Sequence, residues 1–138
     1  MIVGTLLITS TVLELTTLDL SSKNISNLQG IETFTGLQHL NLDNNNLSTL
    51  NVSENTNLLT LDVGRNNLTN LDITTLTQLT SVKAFGNALT VIDLSQSPVL
   101  EVFNAGSNQL TAIDISNNPL FKDIRLNNNP ISNLDLSI

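Results

Sequence analysis

The sequence contains no cysteine, no tryptophan and no tyrosine among its 138 residues, and it has a single histidine. Without cysteine the chain can form neither disulfides nor thiolate metal sites. This does not fix its compartment, because a chain of this length can be stable without bridges. Aromatic residues make up only 3% of the chain. Its core must therefore be built from leucine, isoleucine and valine.

Positive charge is scarce as well. Five Lys and Arg residues stand against twelve Asp and Glu, which gives a net charge of −7 and a pI near 4.2. Nucleic acids and anionic membrane surfaces are bound through basic stripes, so we expect neither as a partner. We also expect no membrane insertion, since no apolar run reaches the roughly 18 residues that cross a bilayer. The apolar segment 1–8 lacks the basic start and the small-residue cleavage site of a signal peptide.

Motifs for catalysis are missing. His39 is the only histidine, and the chain has no G-x-S-x-G, no Gly-rich phosphate loop and no His/Asp/Glu cluster at metal-ligand spacing. We therefore expect no enzyme activity, no cofactor and no catalytic residue.

What the sequence does have is a repeat of 21 or 22 residues. In the stretch that starts at Leu58, apolar residues fall at offsets 0, 3, 5, 10, 13, 15 and 18 from that residue, and an asparagine falls at offset 8. The pattern L-x-x-L-x-L-x-x-N-x-L is that of leucine-rich repeats. The copies begin at Leu15, Leu37, Leu58, Leu79, Leu100 and Phe121.

This spacing predicts a leucine-rich repeat solenoid, a curved right-handed coil with one parallel sheet on its concave side. The six strands are expected near residues 17–20, 39–42, 60–63, 81–84, 102–105 and 123–126. Convex segments from Leu50 onward alternate apolar and polar residues, which predicts short strands or turns there. In the first copy, helical spacing of Leu28, Ile31 and Phe34 predicts a short helical turn.

The repeats define one domain. Residues 15–138 form six repeats, of which the last is incomplete, and residues 1–14 are either a degenerate half-repeat or an N-terminal cap. The sequence stops in mid-repeat without a polar cap. We therefore expect either a longer parent chain or an end-to-end or edge contact with another chain.

An asparagine ladder occupies offset 8, with Lys23 in its place in the first copy. After each strand the chain must bend, which leaves inward-facing backbone groups without strand partners, and an asparagine amide can both donate to and accept from them. We expect a structural role for Asn45, Asn66, Asn87, Asn108 and Asn129.

A second column holds Asp72, Asp93, Asp114 and Asp135, with Asn51 in the same register. Carboxylates stacked about 4.8 Å apart repel by roughly 1 kcal/mol in water, which is tolerable if they are solvated or bound to a cation. Solvated convex carboxylates are the simpler interpretation. A calcium site is the alternative, but it needs further oxygens that converge on the ion, so we expect no metal.

Offsets 1, 2 and 4 should point outward from the concave sheet, and residues there range from leucine to arginine. No folding rule constrains these positions, so their variation is expected of a surface that faces a partner. Phe85, just past its strand, is either an exposed anchor beside Lys83 or a cover for the rim of neighbouring turns. The candidate partner-binding residues are Lys83, Phe85, Glu101, Val102, Lys122, Arg125, His39 and Leu59.

Two stretches resemble known families. The run Leu18-Asp-Leu-Ser21, followed by Ile25 and by Leu28-Gln-Gly-Ile31, resembles the opening repeat of internalin-like bacterial surface proteins, and residues 37–138 resemble the 21-residue repeats of Bacteroidetes-type surface proteins. The resemblance implies a protein-binding module for adhesion or recognition that uses its concave face, in an extracellular or cell-surface location. The alternative is a structural spacer or self-assembling segment without a dedicated ligand.

Overall fold

The computed structural model of the chain describes residues 14–135. The segment that we interpret as a half-repeat or cap lies, apart from Glu14, outside the described residues. In chain order the elements are β1 (Thr17–Asp19), a 3₁₀ helix (Ile31–Thr33), β2 (His39–Asn41), β3 (Thr60–Asp62), β4 (Ser81–Lys83), β5 (Val102–Asn104), β6 (Ala112–Asp114), β7 (Asp123–Arg125) and β8 (Asn133–Asp135).

A single parallel sheet joins the concave strands in the order β1-β2-β3-β4-β5-β7. Each strand pairs with the same offset of the next copy, as in the pairing of Leu40 with Leu61 and of Leu61 with Val82. The predicted solenoid with a six-stranded parallel sheet is confirmed. Each strand ends one residue before its predicted end.

Buried side chains stack in columns between the coils; they are aliphatic except for Phe103, which adds an aromatic ring to the expected leucine, isoleucine and valine. In the second copy Leu37, Leu40, Leu42 and Leu47 are at most 1% exposed, and the same offsets of the third, fourth and fifth copies are equally buried. Burial of one such side chain contributes about 1.5–3 kcal/mol. The repeat offsets therefore carry most of the folding energy, while Leu15, Leu18 and Leu20 of the first copy are only partly buried.

The convex side has both of the expected kinds of structure. Strands β6 and β8 pair in parallel, with Ile113 opposite Leu134. Elsewhere the arc is closed by consecutive turns, in which Asn55 N–H donates to the Val52 carbonyl and Leu58 N–H to the Asn55 carbonyl, both at 3.0 Å. The 3₁₀ helix lies where helical spacing predicts a helical turn in the first copy.

Candidate protein-binding face

Strand register sorts the outward side chains of the concave sheet into columns. The offset-4 column contains Asp19, Asn41, Asp62, Lys83, Asn104 and Arg125, each opposite the next. Neighbouring members lie about one strand spacing apart, roughly 4.8 Å. A partner on this face would therefore meet one side chain per strand at each level.

Four members of the offset-4 column have a folding role, which corrects the expectation that no rule constrains it. The side-chain oxygen of Asp62 accepts the N–H of Gly64 at 3.1 Å, and that of Asn104 accepts the N–H of Gly106 at 3.1 Å. Asp19 and Asn41 make the same bond. Such bonds are Asx turns, in which a short polar side chain holds the backbone bend that follows it. Here the Ser21 N–H lowers the pKa of Asp19.

Lys83 and Arg125 depart from this turn chemistry. Lys83 Nζ lies 3.6 Å from Asp62 Oδ2, and Arg125 Nη2 lies 2.8 Å from Asp123 Oδ2. Their side chains are 50% and 63% exposed. Exposed pairs of this kind are worth about 0–1 kcal/mol, so a partner can replace either carboxylate at little cost. In these two copies an accessible cation therefore stands at offset 4, where the other copies have a turn-forming Asp or Asn.

The remaining candidates of β5 and β7 lie beside these cations. Lys122 Nζ pairs with Glu101 Oε1 at 2.9 Å across one repeat, and Val102 lies opposite Asp123 in the sheet. Val102 is half-buried, whereas the Lys122 side chain is 68% exposed. This half of the face combines an apolar side chain with charges that largely neutralise one another.

Phe85 has a packing role at the rim. It is half-buried, and its ring lies so close to Gly64 that a Cβ there would overlap ring atom Cε1. The Arg65 guanidinium lies 5.5 Å from the ring centroid, and Arg65 Nε also donates to Asp43 Oδ1 at 3.0 Å. Phe85 thus covers neighbouring turns, as in the second interpretation of this residue. The exposed Arg65 guanidinium lies over the face of this ring, the geometry of a cation–π contact.

Arg65 belongs to a column of residues with a left-handed backbone conformation, which the repeat pattern did not identify. Offset 7 has positive φ in every copy: Ser22 (56°), Asn44 (57°), Arg65 (49°), Gly86 (64°), Ser107 (56°) and Asn128 (57°). Glycine and asparagine tolerate this conformation best. Their recurrence at offset 7 is the signal that could have identified the column.

A shallow depression occupies the N-terminal half of the concave face. Its volume is about 320 Å³, and strands β1 to β4 line it with polar side chains that include Asp19, Asn41 and Asp62. His39 Nδ1 and Thr60 Oγ1 are 2.9 Å apart there. His39 therefore lies with the depression, and Lys83 is at its edge. Leu59, half-buried at offset 1, precedes β3.

The asparagine ladder connects each coil to the one before it. Asn66 Nδ2 donates to the Leu42 carbonyl at 3.0 Å and the Val63 carbonyl at 3.1 Å, and its Oδ1 accepts the Leu47 N–H at 3.0 Å. Asn45, Asn87, Asn108 and Asn129 repeat these contacts. The ladder thus holds the bends that follow the strands of the binding face.

Two convex asparagines were missed by sequence reasoning. Asn55 and Asn118 occupy offset 18, where the pattern expects an apolar residue, and are 0% and 1% exposed. Asn118 Nδ2 donates to the carbonyls of Leu94 at 2.9 Å and Ser97 at 2.8 Å in the preceding coil. Their side-chain oxygens are buried without a hydrogen-bond partner. A polar residue at a core offset was the available signal.

The convex aspartates act in turns. Asp72 Oδ1 accepts both the hydroxyl of Thr74 at 2.7 Å and its N–H at 3.0 Å, which lowers the pKa of Asp72. The N–H of Ser95 lowers the pKa of Asp93 in the same way, although burial and the like charges of Asp72 and Asp114 act in the opposite direction. Across residues 14–135, no group of three or more His, Asp or Glu side chains is arranged to hold a metal ion. The side chain of Asp135 lies outside the described part.

Fold and repeat chemistry together define a leucine-rich repeat protein. The family model "Leucine Rich Repeat" matches residues 36–56, which is close to one complete copy. Within the described range, no helix is long and apolar enough to cross a membrane.

Among solved structures, the functional domain of InlJ from Listeria monocytogenes, which includes a cysteine ladder, shares 42% identity with a TM-score of 0.89. The match covers 91% of this chain and 28% of that one. The internalin InlF from the same species shares 25% identity over 90% of this chain and 42% of its own, with a TM-score of 0.82. A leucine-rich repeat protein from Leptospira interrogans shares 26% identity over 88% of this chain and 33% of its own, with a TM-score of 0.84.

No match was found among curated proteins. By the coverages given above, this chain spans between about a quarter and a half of the length of the three solved structures. It is a bacterial internalin-like leucine-rich repeat protein, as the resemblance of its opening repeat predicted.

Proposed function

We propose that the chain is a protein-binding module of a bacterial surface or secreted protein, and that it binds through its concave face. The observation that carries this proposal is the pair of departures at offset 4. Folding favours Asp or Asn there, and Asp62 and Asn104 make the turn bond. Lys83 and Arg125 cannot make this turn bond, because their side chains have no acceptor atom, and both side chains are exposed. A recognition role accounts for both.

The proposed binding surface has its centre on β4, β5 and β7. Lys83, Glu101, Val102, Lys122 and Arg125 supply its charged and apolar groups, and Phe85 lies at the rim past β4. His39 and Leu59 extend it toward the depression on the N-terminal half of the sheet. Arginine and aromatic side chains are enriched at protein–protein interfaces, and charged groups belong to their polar rim. Arg125 and Phe85 are of the first kind, and the ion pair of Lys122 with Glu101 is of the second.

A binding role also fits the chemistry of the face better than catalysis. In the described chain, the contact of His39 with the Thr60 hydroxyl is the arrangement that most resembles a catalytic base beside a nucleophile. Catalytic pairs of this kind have a third group that orients the base, and the ring of His39 has no carboxylate partner among residues 14–135. The cell surface or the extracellular space is the proposed location, as the resemblance to internalin-like surface proteins implies.

The test compares two charge-changing variants that keep the turns intact. Lys83→Asn/Arg125→Asn restores the residue type of Asn41 and Asn104 on the concave face. Asp93→Asn/Asp114→Asn introduces the residue type of Asn51 on the convex side. Each immobilised variant is exposed to surface and secreted protein fractions, and captured proteins are identified and their affinities measured.

We expect a partner whose affinity falls at least tenfold with the concave variant and is unchanged with the convex one. Equal capture by the parent and the concave variant, or loss only with the convex variant, would show that the concave face is not the binding surface. Circular dichroism of all three proteins checks that the fold is retained.

A further inference from the structure

Charge is distributed unevenly between the two halves of the concave face. At the outward offsets 1, 2 and 4, the copies that contain β1, β2 and β3 have two carboxylates, Asp19 and Asp62, and no Lys or Arg. The copies that contain β4, β5 and β7 have three cations and two carboxylates at the same offsets. The N-terminal half of the face is therefore acidic, whereas the C-terminal half has a slight excess of positive charge.

The acidic half is also the half with the depression. Asp19, Asn41 and Asp62 line this depression of about 320 Å³ at offset 4, and Lys83 at its edge is the only Lys or Arg among the residues that line it. A recess with charges of mostly one sign concentrates their field. Because it is shallow and polar, unlike the apolar clefts that enclose small molecules, it suits an extended protein segment better than a compact ligand.

Neither carboxylate of the depression has a close ion-pair partner within the described chain. Lys83 Nζ lies 3.6 Å from Asp62 Oδ2, farther than the roughly 2.7–2.9 Å of a direct charge-assisted hydrogen bond. Asp19 forms no ion pair among residues 14–135. The Ser21 N–H lowers the pKa of Asp19, and Lys23 lowers it further without pairing. Both aspartates therefore present negative charge to the depression.

The spacing of these carboxylates disfavours a single metal ion as the occupant. Asp19 pairs in register with Asn41 and Asn41 with Asp62, so the two aspartates lie two strand spacings apart, roughly 10 Å. Each holds the N–H of the residue two positions later, which fixes its orientation. Oxygen ligands of calcium lie only about 2.3–2.6 Å from the ion. Two positive side chains of one segment can reach both carboxylates, whereas one ion cannot.

We propose that the depression is the docking site for a basic segment of the protein partner, an inference that rests on the proposed function. Arg or Lys side chains of the segment lie against Asp19 and Asp62, and the half-exposed Lys83 ammonium gives way at Asp62. The net charge of −7 attracts such a segment from a distance. The charge difference between the halves of the face then orients the partner, with its basic end toward β1.

The chain supplies neutral templates for both carboxylates. Asp19→Asn/Asp62→Asn introduces the residue type of Asn41 and Asn104, whose side chains make the same turn bond at 3.1 Å. The control Asp93→Asn/Asp114→Asn acts on the convex side, where Asn51 accepts the equivalent N–H at 3.1 Å. Each double variant removes two negative charges and keeps the turns. Only the place of the lost charge differs between them.

The probes are short synthetic peptides that alternate serine with arginine or serine with glutamate, titrated at low salt into the isotope-labelled chain and followed by NMR. We expect the arginine peptide to shift the amide signals of Asp19, His39, Asn41, Thr60 and Asp62. Its affinity should fall at least fivefold in Asp19→Asn/Asp62→Asn and stay within twofold in Asp93→Asn/Asp114→Asn. Lys83→Asn should raise the affinity more than Lys122→Asn does, because only Lys83 competes for Asp62.

Equal affinity in the two double variants would overturn the inference, because binding would then follow net charge alone. A preference for the glutamate peptide would also overturn it, and so would calcium chloride that shifts the same signals by itself. Circular dichroism checks that the variants fold, and Asp62→Asn alone serves as a second variant if the double one does not.

A captured partner separates this inference from the proposed function. Loss of its affinity in both Asp19→Asn/Asp62→Asn and Lys83→Asn/Arg125→Asn supports the basic segment. Loss in Lys83→Asn/Arg125→Asn alone leaves the concave-face function intact and refutes the basic segment. Unchanged affinity in both variants would refute the proposed function itself.

Discussion

Asn87→Ala tests the asparagine ladder at a position flanked by complete copies. Asn87 Nδ2 donates to the carbonyls of Val63 at 2.9 Å and Ala84 at 3.1 Å, and its Oδ1 accepts the N–H of Leu68 at 2.9 Å. The variant removes both donated bonds and the accepted one. Leu68 is 0% exposed, so its N–H is left buried without an acceptor.

The expected cost follows from these groups. A buried donor without a partner costs about 1–3 kcal/mol, whereas each ordinary hydrogen bond contributes only about 0.5–1.5 kcal/mol net. Asn87 itself is only half-buried, so water can reach part of the space that its amide vacates. We expect the free energy of unfolding to fall by about 1–3 kcal/mol, with a larger loss for Asn108→Ala because Asn108 is 3% exposed.

The assay is urea unfolding followed by far-ultraviolet circular dichroism, since the chain has no tryptophan. Asn67→Ala is the control, because Asn67 is exposed and keeps the backbone N–H that donates to the Leu47 carbonyl at 2.8 Å. It should change the unfolding free energy by less than about 0.5 kcal/mol. An Asn87→Ala midpoint equal to that of the parent would refute the reasoning, since it would mean that water or backbone rearrangement replaces the amide.

Three further predictions concern the rim and the convex side. Gly64→Ala should cost about 1–3 kcal/mol, because its Cβ would overlap the ring of Phe85; most of that cost should vanish in a Phe85→Ala background, and equal costs in both backgrounds would exclude the clash. Since the pKa of Asp72 is lowered from 3.8 on folding, its ionised form stabilises the chain above that pH and the stabilisation is lost as pH falls through the folded value. Asp72→Asn should therefore make the fall in urea midpoint below about pH 4 shallower than in the parent, and parallel curves would contradict this. Calcium and a chelator should both leave the melting temperature unchanged, because the aspartates serve their own turns in single file; a calcium-dependent rise would show a site.

Sequence periodicity determined the fold. Regular spacing from Leu15 to Phe121 defined the strands, the core columns and the asparagine ladder, because a stacked coil must bury the same offsets in every copy. The outward columns followed from the same register. These properties depend on local spacing that recurs, so a single sequence was enough to predict them.

Other features depended on contacts between coils, which spacing alone does not determine. The role of Phe85 required the space above Gly64 in the preceding coil. The turn bond of Asp62 to the Gly64 N–H is local, between residues two apart, but the repeat spacing does not show it. The buried amide of Asn118 became intelligible only from the carbonyls of the preceding coil.

The candidate site, too, was predictable from the sequence only in part. Its columns of variable residues could be read from the repeat, and so could the distance in copy order between His39 and the residues on or beside β7, but the depression around His39 could not. The sequence by itself determined which offsets are free to face a partner. Tertiary structure decided which of those side chains neutralise a partner in the next coil and which remain accessible, because those outcomes depend on distances between atoms that are 20 or more residues apart in the chain. The turn bonds, in contrast, join residues only two apart.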